Sequence, residues 1–264
     1  MEEEPAAPIP IRRGWRKHVA ALLLLLLAMA GVGLLVLDSP IGYRLIADRI
    51  TAYAPASGLR VKVGRIEGSL YGQAVLRDVT LSDPKGPFLR VPVVELDWRP
   101  FNWYRTGLDV RKLVARRGLL LRSPELNPGD PDAPILPKFD LRIDRFELDR
   151  LTIDKRIVGE QRRVDLVARV DIRSGRALIR ADGRLGGSDR LFALLDAAPD
   201  RDKFDLKLDY TAPKGGVLAG LTRARQDVRA RIVGAGSWRD WKGALLVEQD
   251  GGQLAAFQIG RAHV

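Results

Sequence analysis

Residues 164–172 read VDLVARVDI. Val164, Leu166, Ala168, Val170 and Ile172 fall on one side of this run at a period of two, the repeat of a strand with one apolar face. The same pattern recurs on either side of it. In FDLRID (139–144) Phe139, Leu141 and Ile143 share one face, and Asp140, Arg142 and Asp144 share the other. In FDLKLDY (204–210) the apolar set is Phe204, Leu206, Leu208 and Tyr210. In VRARI (228–232) it is Val228, Ala230 and Ile232. Further strands are expected near 60–66, 73–82 and 88–98.

Turn chemistry separates these runs: Asp83-Pro84-Lys85-Gly86, Ser174-Gly175, Gly186-Gly187, Asp200-Arg201-Asp202 and Asp250-Gly251-Gly252. Such spacing predicts a mainly β fold, a long antiparallel meander with one apolar face. RLFALLDAAP (190–199) is read as a strand because the Asp200–Asp202 turn follows it. GGVLAGL near Val217 is read as a short helix. Pro124, Pro128, Pro131, Pro134 and Pro137 crowd residues 123–138 into a loop that is a candidate subdomain boundary.

The N-terminal region has a different logic. Val19–Leu37 is an uncharged apolar run, roughly 28 Å long as a helix and so able to cross a bilayer core of about 30 Å. Arg12, Arg13, Arg16 and Lys17 precede it and Asp38 follows, which puts the N-terminus in the cytoplasm and the rest outside. Ala28-Met29-Ala30 also fits the cleavage site of a signal peptide, but Leu34, Leu35, Val36 and Leu37 continue the apolar run beyond it. The retained anchor is the expectation; both alternatives export the rest of the chain. Ser39 and Pro40 then open a short helix, with Ile41, Leu45, Ile46, Ile50 and Tyr53 on one face and Pro55 and Gly58 as its stop.

Net charge is +11 and the sequence pI about 10.2. In an exported chain this does not point to nucleic acid; anionic lipid or polysaccharide suits it better. Alternating Arg and Asp on solvated strand faces account for it more simply still. Cysteine is absent, and the histidines are His18 and His263. No metal-ligand set, nucleophile elbow or phosphate loop is visible, so no catalytic residue, metal or cofactor is assigned and the chain is not expected to be an enzyme. Gly234-Ala235-Gly236 reads as a turn. Glu147 and Asp149 lie two apart on a strand's polar face, where solvation explains them better than paired-carboxylate chemistry. Arg111, Lys112, Arg116 and Arg117 form a basic cluster that suits a solvated face or lipid headgroups.

The most distinctive stretch is GLRVKVGRIEGSLYGQAVLRDVTLSDPKGPFLRVPVVELDWRP, residues 58–100. Val63, Gly64, Ile66, Gly68, Gly72, Leu76, Asp78, Val79, Leu81, Asp83, Gly86, Leu96, Asp97 and Trp98 match a pattern that follows the N-terminal anchor in the AsmA-like superfamily. GAGSWRDWKGAL (234–245) is similar to a strand motif of the TamB family within it. The chain therefore resembles the N-terminal part of a TamB-like protein from Val19 to about Phe257.

The resemblance implies a taco-shaped β-groove with an apolar concave lining. It also implies attachment to the inner membrane of a Gram-negative cell by one span, with the bulk in the periplasm. The function implied is phospholipid carriage between the inner and outer membranes. The alternative is assembly or secretion of outer-membrane β-barrel proteins and autotransporters with a TamA-like outer-membrane partner; the domain that docks that partner has no counterpart in this sequence.

The expected organisation is then a cytoplasmic tail (1–18), anchor (19–37), amphipathic helix (38–56), first groove segment (57–122), Pro-rich loop (123–138) and second groove segment (139–258). Lipid-facing candidates are Phe139, Leu141, Ile143, Val164, Leu166, Val170, Phe204, Leu206 and Leu208. The last six residues, IGRAHV (259–264), have no turn before them and break the strand pattern. Their codons can be written as a sequencing-library adapter, so a non-native end is expected there.

Overall fold

The computed structural model describes residues 38–52, 57–102, 107–127, 136–137, 139–186, 188–214, 226–237, 240–249 and 252–260. The expected anchor, Val19–Leu37, and the helix expected near Val217 lie outside them. Among the described residues no helix is long and apolar enough to cross a membrane. Met1–Gly42 and Tyr43–Val264 are separate units, and the sheet belongs to the second.

Helix α1 spans Pro40–Ala52. The Ser39 Oγ accepts from the Gly42 N–H at 3.4 Å, which places Ser39 as its cap. The stripe that packs differs from the one expected. Tyr43, Ile46 and Ala47, at helical spacing, meet a core of Val63, Ile66, Val79, Val91 and Val94. Ile41 and Leu45 are exposed. The reason is size: Ala47 lets the helix axis come close to the sheet, and Leu45 points elsewhere.

Fourteen strands form a single sheet. They are β1 (Arg60–Lys62), β2 (Arg65–Gly68), β3 (Gln73–Asp83), β4 (Gly86–Trp98), β5 (Leu108–Arg116), β6 (Leu119–Leu120), β7 (Leu141–Ile153), β8 (Arg162–Arg173), β9 (Arg176–Leu185), β10 (Asp189–Ala198), β11 (Lys203–Ala212), β12 (Val228–Gly236), β13 (Trp241–Gln249) and β14 (Gly252–Gly260). A one-turn helix α2 (Lys155–Val158) joins β7 to β8, capped by Asp154, which accepts from the Arg156 N–H at 2.9 Å. RLFALLDAA lies in β10, as its following turn suggests, and Pro199 opens that turn.

An antiparallel meander is expected from the sequence; the structure departs from it, because β5 and β6 both pair with β7 in parallel. The connection after β6 carries the chain back to the end of the sheet where β5 starts. There the Leu108 N–H donates to the Asp140 carbonyl at 2.8 Å. The crossing is so close that a Cβ on Gly107 would stand 2.1 Å from that oxygen, and Gly107 has φ +71. The Pro-rich loop thus separates two strands that are direct neighbours in one sheet.

Its first part is pinned to the β3–β4 turn by Asp83, which is 4 % exposed. The Asp83 carboxylate takes the Arg122 guanidinium, the Lys85 N–H at 2.8 Å and the Glu125 N–H at 2.6 Å. Arg122 holds that carboxyl well below the usual carboxylate range.

At the other end of the sheet, pairing continues through Ile259, opposite Gly243, and Gly260, opposite Lys242. Strand pairing thus runs through the first two of the six residues at which a break in pattern is expected, and residues 261–264 lie outside the described ones.

Candidate functional site: the apolar face of the sheet

Directly paired residues in a sheet point to the same side, so the register defines the faces. One row runs Ala74, Leu96, Leu113, Phe146, Ala168, Ala181, Ala193, Leu208, Ile232, Leu245 and Phe257, each opposite the next. It crosses eleven strands without a polar residue. At ~4.8 Å per strand it extends roughly 48 Å. A parallel row beside it runs Val110, Ile143, Val170, Ile179, Leu195 and Leu206.

Eight of the nine expected lipid-facing residues share this face. Leu141, Ile143, Val164, Leu166, Val170, Phe204, Leu206 and Leu208 stand in its rows. Phe139 precedes β7 in a bend and is 44 % exposed.

Periodicity of two does not hold through β7. Its apolar residues are Leu141, Ile143, Phe146, Leu148, Leu151 and Ile153, and the intervals alternate between two and three. β5 and β6 have the same intervals at Leu108, Val110, Leu113, Ala115, Gly118 and Leu120. Each interval of three carries an extra residue. Against β8, register shifts fall between Ile143 and Phe146 and between Leu148 and Leu151. These bulges return every apolar side chain to one face, and the matching intervals sit side by side on β5 and β7. Arg150 takes φ +57 in the second bulge, and its N–H donates to Asp165 at 2.8 Å.

Beside these bulges, Val79, Val91, Leu113, Phe146, Leu148 and Leu151 line an apolar hollow of about 190 Å³. Farther on, Leu166, Val170, Leu206 and Leu208 are only half-buried, while Ala168 and Ala177 lie buried between them. Among the described residues no second sheet covers this face.

Two features of the face were not legible beforehand. Asp189 is 0 % exposed within it, opposite Leu185. Its carboxylate accepts from the Tyr210 hydroxyl at 2.6 Å and from Ser188 at 3.3 Å. Burial, with Asp189 alongside, raises the Tyr210 phenol above its ordinary range. In sequence Asp189 reads as a turn residue after Gly186-Gly187. The second feature is Gly234, expected in a turn but found inside β12, opposite Gly243. The Trp241 indole occupies the space that side chains there would fill. Its ring lies 6.1 Å from that of Phe204.

The opposite face is a lattice of ion pairs. Asp196 meets Arg176 at 2.7 Å and Lys203, and the Arg176 hydrogen bonds bring its carboxyl down to about 2. Glu95 is lowered chiefly by Arg116, which also reaches Asp149 at 2.9 Å. Glu147 pairs with Arg145 at 2.8 Å. In the basic cluster, Arg111 pairs with Asp97 and Lys112 lies 3.9 Å from Glu95. Glu147 and Asp149 are thus engaged by arginines rather than facing each other across a cleft. Among the described residues no group of acidic residues or histidines is arranged to hold a metal ion. The chain matches no family model, no curated protein and no solved structure.

Proposed function

We propose that the apolar face carries phospholipid acyl chains, in a protein anchored in the inner membrane with its bulk in the periplasm. The observation that carries this reading is the unbroken row from Ala74 to Phe257, which crosses the strands and, from Leu96 onward, is half-buried or exposed apart from Ala168. Hydrating an acyl chain costs about 0.8 kcal/mol per methylene, so a moving chain needs apolar contact along its whole path. A row perpendicular to the strands offers that contact from one end of the sheet to the other. A closed sandwich would bury Leu206 and Leu208 fully. The curled sheet would form a groove with this face inward, and the headgroup would travel at its open rim. No cofactor and no catalytic group are needed for passive sliding.

Photocrosslinkers placed at Leu141, Ile143, Leu206 or Leu208 in cells should capture phospholipid. The same probes at Arg142 or Lys207, on the ion-paired face, should not. Equal capture on both faces would refute the reading.

A second reading has one observation in its favour. β14 pairs only with β13 among the described residues, so its outer edge offers backbone groups to another strand. Such an edge could receive strands of nascent outer-membrane proteins, with a TamA-like barrel as partner. Probes on β14 would then capture polypeptide rather than lipid.

A further inference from the structure

We infer that the corner of the sheet at the β2–β3 turn, where the apolar row begins at Ala74, is a bilayer-seating surface, in which Phe101, stacked on Tyr71, and Leu45 of α1 enter the interfacial layer of the membrane. The inference rests on the membrane-anchored reading above and adds which corner of the sheet, and which side chains, meet the lipid.

Phe101 is 61 % exposed, yet it is held rather than loose. It occupies a 3-10 turn, Pro100–Asn102, whose flanks are tied to one buried carboxylate. Asp109 accepts from Arg99 at 3.1 Å and from Asn102 at 3.0 Å, and the Arg99 N–H donates to the Asp109 carbonyl at 2.8 Å. Tyr71, in the turn after β2, lies beneath it with ring centroids 5.7 Å apart and planes 20° apart. A buried polar anchor thus serves to display an aromatic ring to the outside. Tyr71, with one apolar and one polar end, suits the headgroup boundary of a bilayer, and the Phe101 ring adds apolar contact beside it.

The chain path identifies the occupant. The Tyr43 hydroxyl donates to the Gly68 carbonyl, so this residue of α1 reaches the same corner, next to the Ser69–Gly72 turn. In sequence, Tyr43 follows Leu37, the last residue of the apolar run, after a few residues that can span at most about 20 Å. Leu45 is 54 % exposed on the next part of the helix, beside the exposed Arg44, whose charge suits anionic headgroups. The other end of these strands carries the Asp83–Gly86 turn, where Lys85 pairs with Glu125.

The chain has no cysteine, so single-cysteine labelling is clean. The full chain would be placed in phospholipid nanodiscs with an environment-sensitive fluorophore at Phe101→Cys, Leu45→Cys or Lys85→Cys. Nitroxide-bearing lipid should quench the first two several-fold more than the third. Leu45→Cys keeps the test decisive if Phe101→Cys loosens the turn. Quenching at neither position 45 nor 101, or equal quenching at all three, would overturn the inference. Lipid crosslinking at Leu206 and Leu208 on the same samples separates the two proposals. Capture without quenching refutes the seating alone, and quenching without capture refutes the conduit alone.

Discussion

A Cβ added to Gly234 would stand 2.0 Å from Cζ2 of Trp241. The indole lies across β12 and β13, over Gly234 and its register partner Gly243, and reaches toward Phe204. Glycine weakens a strand, and an aromatic ring laid over it restores the lost packing. GAGSWRDWKGAL therefore has a physical content: its first and last glycines leave room for its second tryptophan.

Gly234→Ala should destabilise the sheet by about 1–3 kcal/mol, the cost of overpacking a filled site. In Gly234→Ala/Trp241→Ala the clash is gone, so the alanine should cost much less than it does alone. Urea unfolding of the two single variants and the double variant measures that coupling. Additive effects would mean that the ring does not lie on the glycine.

The ion-paired face makes stability depend on acid. Asp196, with its carboxyl lowered to about 2 by Arg176, favours the folded state when ionised. The unfolded carboxyl titrates near 3.9, so its contribution is complete above about pH 4 and is lost as pH falls toward 2. Asp83 and Glu95 are shifted the same way and act in the same direction. Asp196→Asn should flatten the fall in stability between pH 4 and 2 and lower stability at pH 7. An unchanged acid limb would show that Asp196 does not hold its pair in solution.

Leu206→Asp should abolish lipid capture at neighbouring positions, since a carboxylate in the row interrupts an apolar path. It should also cost stability, because Leu206 is half-buried between Leu195 and Gly234. Leu206→Ala separates the effects: it keeps the path apolar and should retain capture, with a loss of stability below the 2–5 kcal/mol of a fully buried leucine. Loss of capture in both variants, scaling with stability, would remove the case for a path.

The β character and most of the apolar face were legible because period-two alternation is a local property of one strand. Val164, Leu166 and Val170 needed no knowledge of their neighbours. The parallel pairing of β5 with β7 was not legible, because it depends on where a proline-rich loop delivers the chain. Gly234 was misread as a turn because the residue that explains it, Trp241, lies on the next strand. Ile41 and Leu45 were placed on the packed stripe of α1 by spacing alone, which does not register that small Ala47 can approach the sheet most closely. Asp189 gave no signal, since a buried aspartate and a turn aspartate look alike in sequence.

The bulges of β7 give the strictest test of register. In LRIDRFELDRLTI the extra residues at Asp144-Arg145 and Asp149-Arg150 reset the phase, so that Phe146, Leu148, Leu151 and Ile153 return to the face of Leu141 and Ile143. Removing the extra residue of a bulge leaves an ordinary interval of two, whereas removing a residue from an interval of two moves the next apolar side chain to the other face. Deletion of Glu147 would make Phe146 and Leu148 neighbours, send Leu148 toward the arginines and carboxylates and leave its part of the hollow empty. The protein should then fail to fold, or lose cooperative unfolding. Glu147→Ala keeps the residue count and removes only the pair with Arg145, so its effect should stay within about 1 kcal/mol. The two variants differ in backbone length and share the loss of the same side chain. If thermal unfolding finds them equally stable, the spacing of two and three is not what holds the apolar face together.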